Sequence, residues 1–350
     1  MNINQVIFDK YASLGEKMNT YSEAGVNSDK KSIFLDLLIS QIKFHRENSV
    51  NLKGHFTGLF DFGEYYLALN TDGVGTKMII AEELKKYDTV GIDCVAMNVN
   101  DTICVGAEPL AMVDYLVINR YDEWIAKQLG IGLNKGLELA NVELIGGETS
   151  VMPDLINNID LSGTALGIVK KEKLISGAAI ADGDLIIGLE SSGLHSNGFT
   201  LVRKLIKEND ISYNNKISDK QLKDLLLEPT KIYVKEILEL SKISEIHGLA
   251  HITGGGLRNL IRLKKKKFIL DSLIESPPIF QFLQNTGNIP DFEMYQTFNM
   301  GMGFAIIVAE RDTDTVLQYL KHKTAAQIVG FIAPGESVYL PEFKISYDRY

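Results

Sequence analysis

Hydrophobic and polar positions divide the chain into two halves of similar length, each with its own strands and helices. In the first half, Tyr65-Tyr66-Leu67-Ala68-Leu69-Asn70 alternates weakly and runs into a Gly-rich turn, the pattern of a buried strand. Asp88 is placed to cap a helix that runs to about Val105 and is closed by Gly106. After Pro109, the β-favouring run Met112-Val113-Asp114-Tyr115-Leu116-Val117-Ile118 predicts a strand, and a helix follows near Asp122 to Leu139. Val142 to Ile145 predicts a short strand entering a turn at Gly146-Gly147, and Leu161 to Val169 is the last strand of this half.

The charged stretch Lys170-Lys171-Glu172-Lys173 has little to bury and is the expected boundary, giving domains 1–170 and 171–350. The second half predicts strands at Leu185 to Leu189, Phe268 to Leu270, Phe304 to Ala309 and Gln327 to Ile332. Helices are expected at Phe199 to Lys207, Lys231 to Leu240 and Thr313 to Leu320, and Asn209 to Lys220 reads as an exposed connection. Lys264 to Lys267 reads as a solvated strand edge more readily than as an anion site. No short-period repeat is present, and the halves show no sequence echo of each other.

Composition narrows the class. A length of 350 residues suits two domains, and 45% apolar with 23% charged residues is a globular balance. The net charge of −9 argues against a nucleic-acid binder, yet leaves room for a locally positive pocket that takes an anionic small substrate. Cys94 and Cys104 stand ten apart in an apolar stretch, as expected of reduced core thiols. The N-terminus has no basic start or apolar core of a signal peptide, and no apolar run reaches membrane-spanning length. The expected compartment is the cytoplasm.

The familiar nucleotide fingerprints are missing. The chain has no Gly-Lys dipeptide, hence no Walker A loop, and no GxGxxG. His247 and His251 lack the Glu that would make a zinc motif. Other anion-holding devices stand in their place. In Thr71-Asp72-Gly73-Val74-Gly75-Thr76-Lys77 the glycines bring backbone N–H groups close to an anion, Thr76 offers a hydroxyl, Lys77 a cation, and Asp72 an oxygen for Mg²⁺. Alone, this turn also suits a tight hairpin. The apolar helix after Asp88 carries Asn98, Asn100 and Asp101; Asn100 lies within about 20° of Asp93 around the helix and Asp101 within about 80°. Buried polar groups need partners, and a second metal-binding carboxylate beside Asp72 is the expected one. Gly146-Gly147-Glu148-Thr149 places a carboxylate on a flexible turn after a strand, with structural and functional readings both open. Ser191 to Gly198 leads into the helix at Phe199, and Thr253-Gly254-Gly255-Gly256 precedes a helix from Leu257; both suit phosphate at a helix N-terminus.

Taken in order, these segments resemble the phosphoribosylformylglycinamidine cyclo-ligase (aminoimidazole ribonucleotide synthetase) family nearly end to end. The likeness rests on Tyr21 to Asn27, Thr71 to Lys77, Gly91 to Asp101, Gly106 to Leu110, and Gly146 to Thr149 with Met152-Pro153. It continues through Ser191 to Gly198, Pro229 to Val234, His251 to Gly256 and Thr297 to Gly303. Two departures stand out: Leu52 to Phe60 has fewer glycines than the family's segment and carries His55, and no Pro-containing stretch follows the triple Gly.

The resemblance implies a two-domain α+β chain of the PurM-like ATP-binding superfamily, dimerising through N-terminal domains that build a shared β-barrel. It implies ATP-dependent closure of formylglycinamidine ribonucleotide to aminoimidazole ribonucleotide, with both ligands in a groove between the domains. Mg²⁺ would be held by Asp72, Asp101 and Glu148, with Asp93 as a further candidate. ATP contacts would come from Gly25, Thr71, Asp72, Gly73, Gly75, Thr76, Lys77, Asp93, Asn100, Asp101 and Glu148. His195, Asp72, Lys77 and Asn197 would carry the chemistry, His195 managing a proton or polarising an oxygen and Asn197 orienting substrate. The substrate phosphate would sit at Ser191, Ser192, Gly193 and His195 or at Thr253, Gly254, Gly255 and Gly256, and Tyr21 to Asn27 would be a lid. The nearest alternatives are other superfamily enzymes, such as a selenophosphate synthetase, against which the lack of any Cys before Cys94 counts. A non-catalytic nucleotide-binding scaffold would have no need of Asp72, Asp101 and His195 together.

Overall fold

A computed structural model of the chain describes residues 28–350 apart from 51 and 53. Gly25 and the Tyr21 to Asn27 segment lie outside the described residues. The first half runs α1 (Ser28–Ser40), β1 (Ser49–Val50), β2 (Gly58–Phe62), β3 (Tyr65–Gly73), α2 (Lys77–Leu84), α3 (Val90–Ile103), β4 (Glu108–Ile118), α4 (Glu123–Ala140), β5 (Glu143–Val151) and β6 (Asp160–Lys170). Its strands form one sheet in the order β1-β2-β3-β6-β4-β5, antiparallel except for the β4–β5 pair. The alternation along β6 is regular: Leu161, Gly163, Ala165, Gly167 and Val169 are buried and the residues between them are not. One face of the sheet is therefore core, and α3 and α4 cover it. The two helices approach closely because Gly91 and Gly132 face each other; a Cβ on Gly91 would stand 2.2 Å from the Leu133 nitrogen.

The second half runs β7 (Leu185–Glu190), α5 (Phe199–Glu208), β8 (Lys216–Ile217), β9 (Lys220–Gln221), α6 (Leu222–Leu226), α7 (Val234–Leu240) and β10 (Gly248–His251). A 3₁₀ turn (Gly256–Arg262) then leads to β11 (Lys267–Leu270), α8 (Pro278–Gly287), α9 (Asp291–Thr297), β12 (Met302–Val308), α10 (Thr313–Leu320), β13 (Ala326–Ala333), β14 (Ser337–Leu340) and β15 (Ile345–Tyr347). Seven strands form a second sheet, β10-β12-β7-β13-β11-β14-β15. All seven residues of β12 are buried, as a central strand covered on both faces requires.

Several local expectations need correction. Helix α3 has Thr89, not Asp88, at its N-cap position, without a side-chain capping bond, and ends at Ile103, with Gly106 in the left-handed region beyond it. Thr71, Asp72 and Gly73 complete β3 instead of forming a turn, since their ladder with β6 continues to Gly73 and Ser162. Gly146 to Thr149 are likewise strand residues: Gly147 pairs with Asp114, and a Cβ there would lie 1.9 Å from the Asp114 Oδ1 atom. The segment after the triple Gly is a 3₁₀ turn, and the helix expected from Lys231 begins at Val234. Lys267 opens an interior strand rather than a sheet edge; Lys264 donates to the Ala178 and Ile180 carbonyls and Lys266 pairs with Asp182. Strands β10, β14 and β15 and helices α8 and α9 carried too few periodic residues to be seen in the pattern. Both cysteines are free and buried.

Candidate active site

Helix α3 separates the two sheets, and its polar residues divide between them. Asn98 faces the first sheet. Beyond Leu69 no β2 residue pairs with β3, which leaves the Asp72 backbone unpaired on that side. The Asn98 amide fills the gap, accepting from the Asp72 N–H at 3.0 Å and donating to the Asp72 carbonyl at 3.0 Å. A side chain thus replaces a strand residue and fixes Asp72 in place.

Thr102 also faces the first half, donating to the Asn70 amide oxygen, whereas Asp93, Asn100 and Asp101 face the second half. Asp93 Oδ1 accepts from the Thr230 N–H (2.7 Å) and hydroxyl (2.6 Å), and its Oδ2 lies 2.8 Å from Lys77 Nζ, both side chains fully buried. Lys77, the first residue of α2, also donates to the His195 carbonyl at 3.1 Å and the Glu228 carbonyl at 2.7 Å. Asn100 donates to the Lys231 carbonyl and accepts from the Tyr233 N–H. Asp101 Oδ1 stands 2.8 Å from His251 Nδ1. The Asn100 amide approaches Nε2 of the same ring, which assigns the proton to Nδ1.

Lys77 has all three ammonium protons engaged, so its cation anchors the seam and does not face a phosphate. Burial lowers its pKa, and Asp93 opposes that shift. Asp93, Asn100 and Asp101 hold the halves together. Glu148 pairs in register with Tyr115, one step from the Asp72–Gly163–Asp114–Gly147 row, and so projects from the opposite face of the sheet to Asp72. Asp72, Asp101 and Glu148 are therefore not brought together, and among the described residues no three acidic, His or Cys side chains converge as a metal cage.

The residues that do come together belong to the Gly-rich segments. Thr76, at the end of the loop after β3, and Thr200, in the first turn of α5, have hydroxyls 3.1 Å apart across the halves. The Asn197 amide oxygen would lie 2.9 Å from a Cβ on Gly254, so the second and third segments touch. Asp114, absent from the sequence expectations, lies in the Asp72 row with Gly163 between them. It was detectable as the one charged residue in the apolar run Met112 to Ile118. Burial raises the Asp114 pKa. Asn299, also missed, clamps the Ser191 loop: it accepts from the Ser191 hydroxyl, donates to the Gly193 carbonyl and accepts from the Gly301 N–H. The Ser192 hydroxyl donates to the Pro229 carbonyl at 2.6 Å. Both serine hydroxyls are thus engaged in shaping the loop. The Gly254 carbonyl accepts from the Tyr350 hydroxyl, and the Thr253 carbonyl from the Gly256 N–H.

His195 sits at the centre of this loop with a left-handed backbone, φ 59°. Its Nε2 accepts from the Ser192 N–H at 3.3 Å, and its buried Nδ1 has no hydrogen-bond partner. Burial, reinforced by His251, Lys77 and Lys231, drives its pKa well below the ordinary histidine value. The ring is neutral, and the tautomer set by Ser192 leaves Nδ1–H as an unsatisfied donor.

Comparison with known proteins agrees with this architecture. Residues 54–169 match the N-terminal domain model of AIR synthase related proteins, and residues 181–341 match the C-terminal one. The phosphoribosylformylglycinamidine cyclo-ligase of Thermoplasma volcanium is 48% identical over 91% of this chain and 95% of its own. That of Methanococcus vannielii is 48% identical over 90% of this chain and 92% of its own. This chain belongs to the phosphoribosylformylglycinamidine cyclo-ligase family. AaThiL complexed with AMPPCP and TMP shares the fold at a TM-score of 0.65, with 15% identity, covering 91% of this chain and 96% of that one. The regions matched by the two domain models meet across the seam built on α3. No described helix is long and apolar enough to cross a membrane.

Proposed function

We propose that the protein is a cyclo-ligase that uses ATP to close formylglycinamidine ribonucleotide into aminoimidazole ribonucleotide, releasing ADP and phosphate. The convergence of three Gly-rich segments from both halves, seen in the Thr76–Thr200 and Asn197–Gly254 contacts, carries the reading. An amide oxygen is a poor leaving group. ATP phosphorylates it, a substrate nitrogen attacks the activated carbon, and phosphate departs with the original amide oxygen.

The chain's own groups suit these steps. His195 Nδ1–H is a neutral, buried donor without a partner, fit to polarise the reacting oxygen rather than to carry charge to it. Asn197, beside Gly254, orients substrate between the two loops. The substrate phosphate belongs at the backbone N–H groups of Gly254 and Gly255 in preference to Ser191 and Ser192, whose hydroxyls are engaged, and to Gly256, whose N–H is held by the Thr253 carbonyl. Mg²⁺ takes one or two carboxylates plus substrate phosphates, and Asp72, its backbone fixed by Asn98, would supply one of them. When bound it neutralises charge on the transferring phosphoryl group.

A homodimer follows from the uncovered face of the first sheet, where Leu69, Val113, Tyr115 and Ile145 are 54%, 39%, 41% and 65% exposed. Packing this face against its copy would bury it and complete a barrel. The cytoplasm is the proposed compartment. Incubation with ATP, Mg²⁺ and formylglycinamidine ribonucleotide tests the activity: equal amounts of ADP and aminoimidazole ribonucleotide are expected. ATP binding without either product would support a non-catalytic role instead.

A further inference from the structure

A second cavity lies in the first half alone, away from the seam. It has a volume of about 440 Å³ and opens between the end of α2, the start of α4 and the tip of β4. That volume falls within the range of small-molecule sites. Its inner wall is aromatic and aliphatic: Tyr87 and Trp124 meet edge to face with ring centroids 5.8 Å apart, over Leu116 and Ile118. Its mouth carries two cations, Lys85 and Arg120, and neither forms an ion pair with a carboxylate among the described residues. Between wall and mouth stands Glu82, half buried, with Oε2 held at 2.8 Å by the Asn158 amide. The nearby Asp122 is committed to capping α4 through the Trp124 and Ile125 N–H groups.

An aromatic wall takes a flat ring, a carboxylate fixed in orientation accepts ring N–H donors, and unpaired cations at the rim take an anion. We propose that this cavity binds a nucleoside monophosphate whose base presents two adjacent N–H donors, guanine above all. The base stacks at Trp124 and Tyr87 and donates to Glu82, and the phosphate meets Arg120 and Lys85. The site is distinct from the seam, so occupancy there does not require ATP or substrate to leave.

Trp124 is the one tryptophan of the chain, which makes its fluorescence a local probe. Full-length protein is titrated with GMP, with excitation at the red edge to avoid base absorption. Saturable quenching is expected, unchanged by saturating Mg-ATP. Inorganic phosphate or guanosine alone should bind at least roughly tenfold more weakly, because each makes only part of the contacts. Arg120→Ala should weaken GMP by roughly tenfold, and Glu82→Gln should remove the preference for GMP over UMP. Arg120 lies exposed at the mouth and Glu82 half buried behind it, and a thermal melt confirms that the variants are folded. Absence of saturable quenching at millimolar GMP, competition by ATP, or indifference to both substitutions would overturn the proposal.

Discussion

Asp93 and Thr230 are joined by two hydrogen bonds of 2.7 and 2.6 Å to a single carboxylate oxygen, across 137 positions of sequence. The other oxygen of Asp93 meets Lys77. One buried carboxylate therefore ties α2, α3 and the second half into a single frame, and the reactive loops hang from it. Removing one member of a buried ion pair leaves the other uncompensated, at a cost of about 3–5 kcal/mol. Lys77→Met should lower the unfolding free energy measured in urea by that amount and abolish activity through loss of the frame. A variant with normal stability would show that Lys77 is not an anchor.

Asn98 holds the Asp72 backbone by a reciprocal amide pair. Asn98→Leu leaves a buried N–H and carbonyl unsatisfied and should destabilise the protein by about 1–3 kcal/mol. It should also raise the Mg²⁺ requirement, since Asp72 loses its fixed position. Magnesium titration of turnover measures this, and an unchanged half-saturating concentration would separate Asn98 from the site.

His55 and His195 both have depressed pKa values in the folded protein, His55 at about 4 through burial first and the Arg262 charge second. In the unfolded chain such groups take up protons near pH 6.5. Below that pH the unfolded state binds more protons, so stability is full above pH 6.5 and falls as pH drops towards 4. His55 alone accounts for about 3 kcal/mol over that window. Unfolding midpoints measured from pH 7.5 to 4 should decline steeply for the wild type and less so for His55→Leu; parallel curves would contradict the assignment.

The open sheet face should hold two copies together. Leu69→Asp places a charge in the middle of that face and should convert a dimer of about twice the chain mass to monomer in sedimentation. A wild-type monomer would remove the barrel from the account.

Much of this was legible in the residues, and the limit was consistent. Helical spacing showed that Asp93, Asn100 and Asp101 share a polar side of a buried helix. Spacing shows a face, however, and not what packs on it, and the partners of these three residues stand 131 to 151 positions away in sequence. Gly146 and Gly147 signalled a turn because glycine weakens strands; the reason they stay in β5 is the Asp114 side chain beside them, a tertiary fact. Likewise Asp72 belongs to a strand whose missing neighbour is an asparagine from a helix. The Ser191 to Gly198 loop entering a helix at Phe199 was legible, because Gly and polar residues before a helix depend only on local sequence.

The fate of one oxygen atom tests the central claim most directly. Formylglycinamidine ribonucleotide carrying ¹⁸O in its formyl group is turned over with Mg-ATP, and the released phosphate is examined by mass spectrometry. The account predicts one ¹⁸O in each phosphate, formed by the wild type and lost along with turnover in Asp72→Asn and His195→Ala. Product whose phosphate carries no label would contradict it.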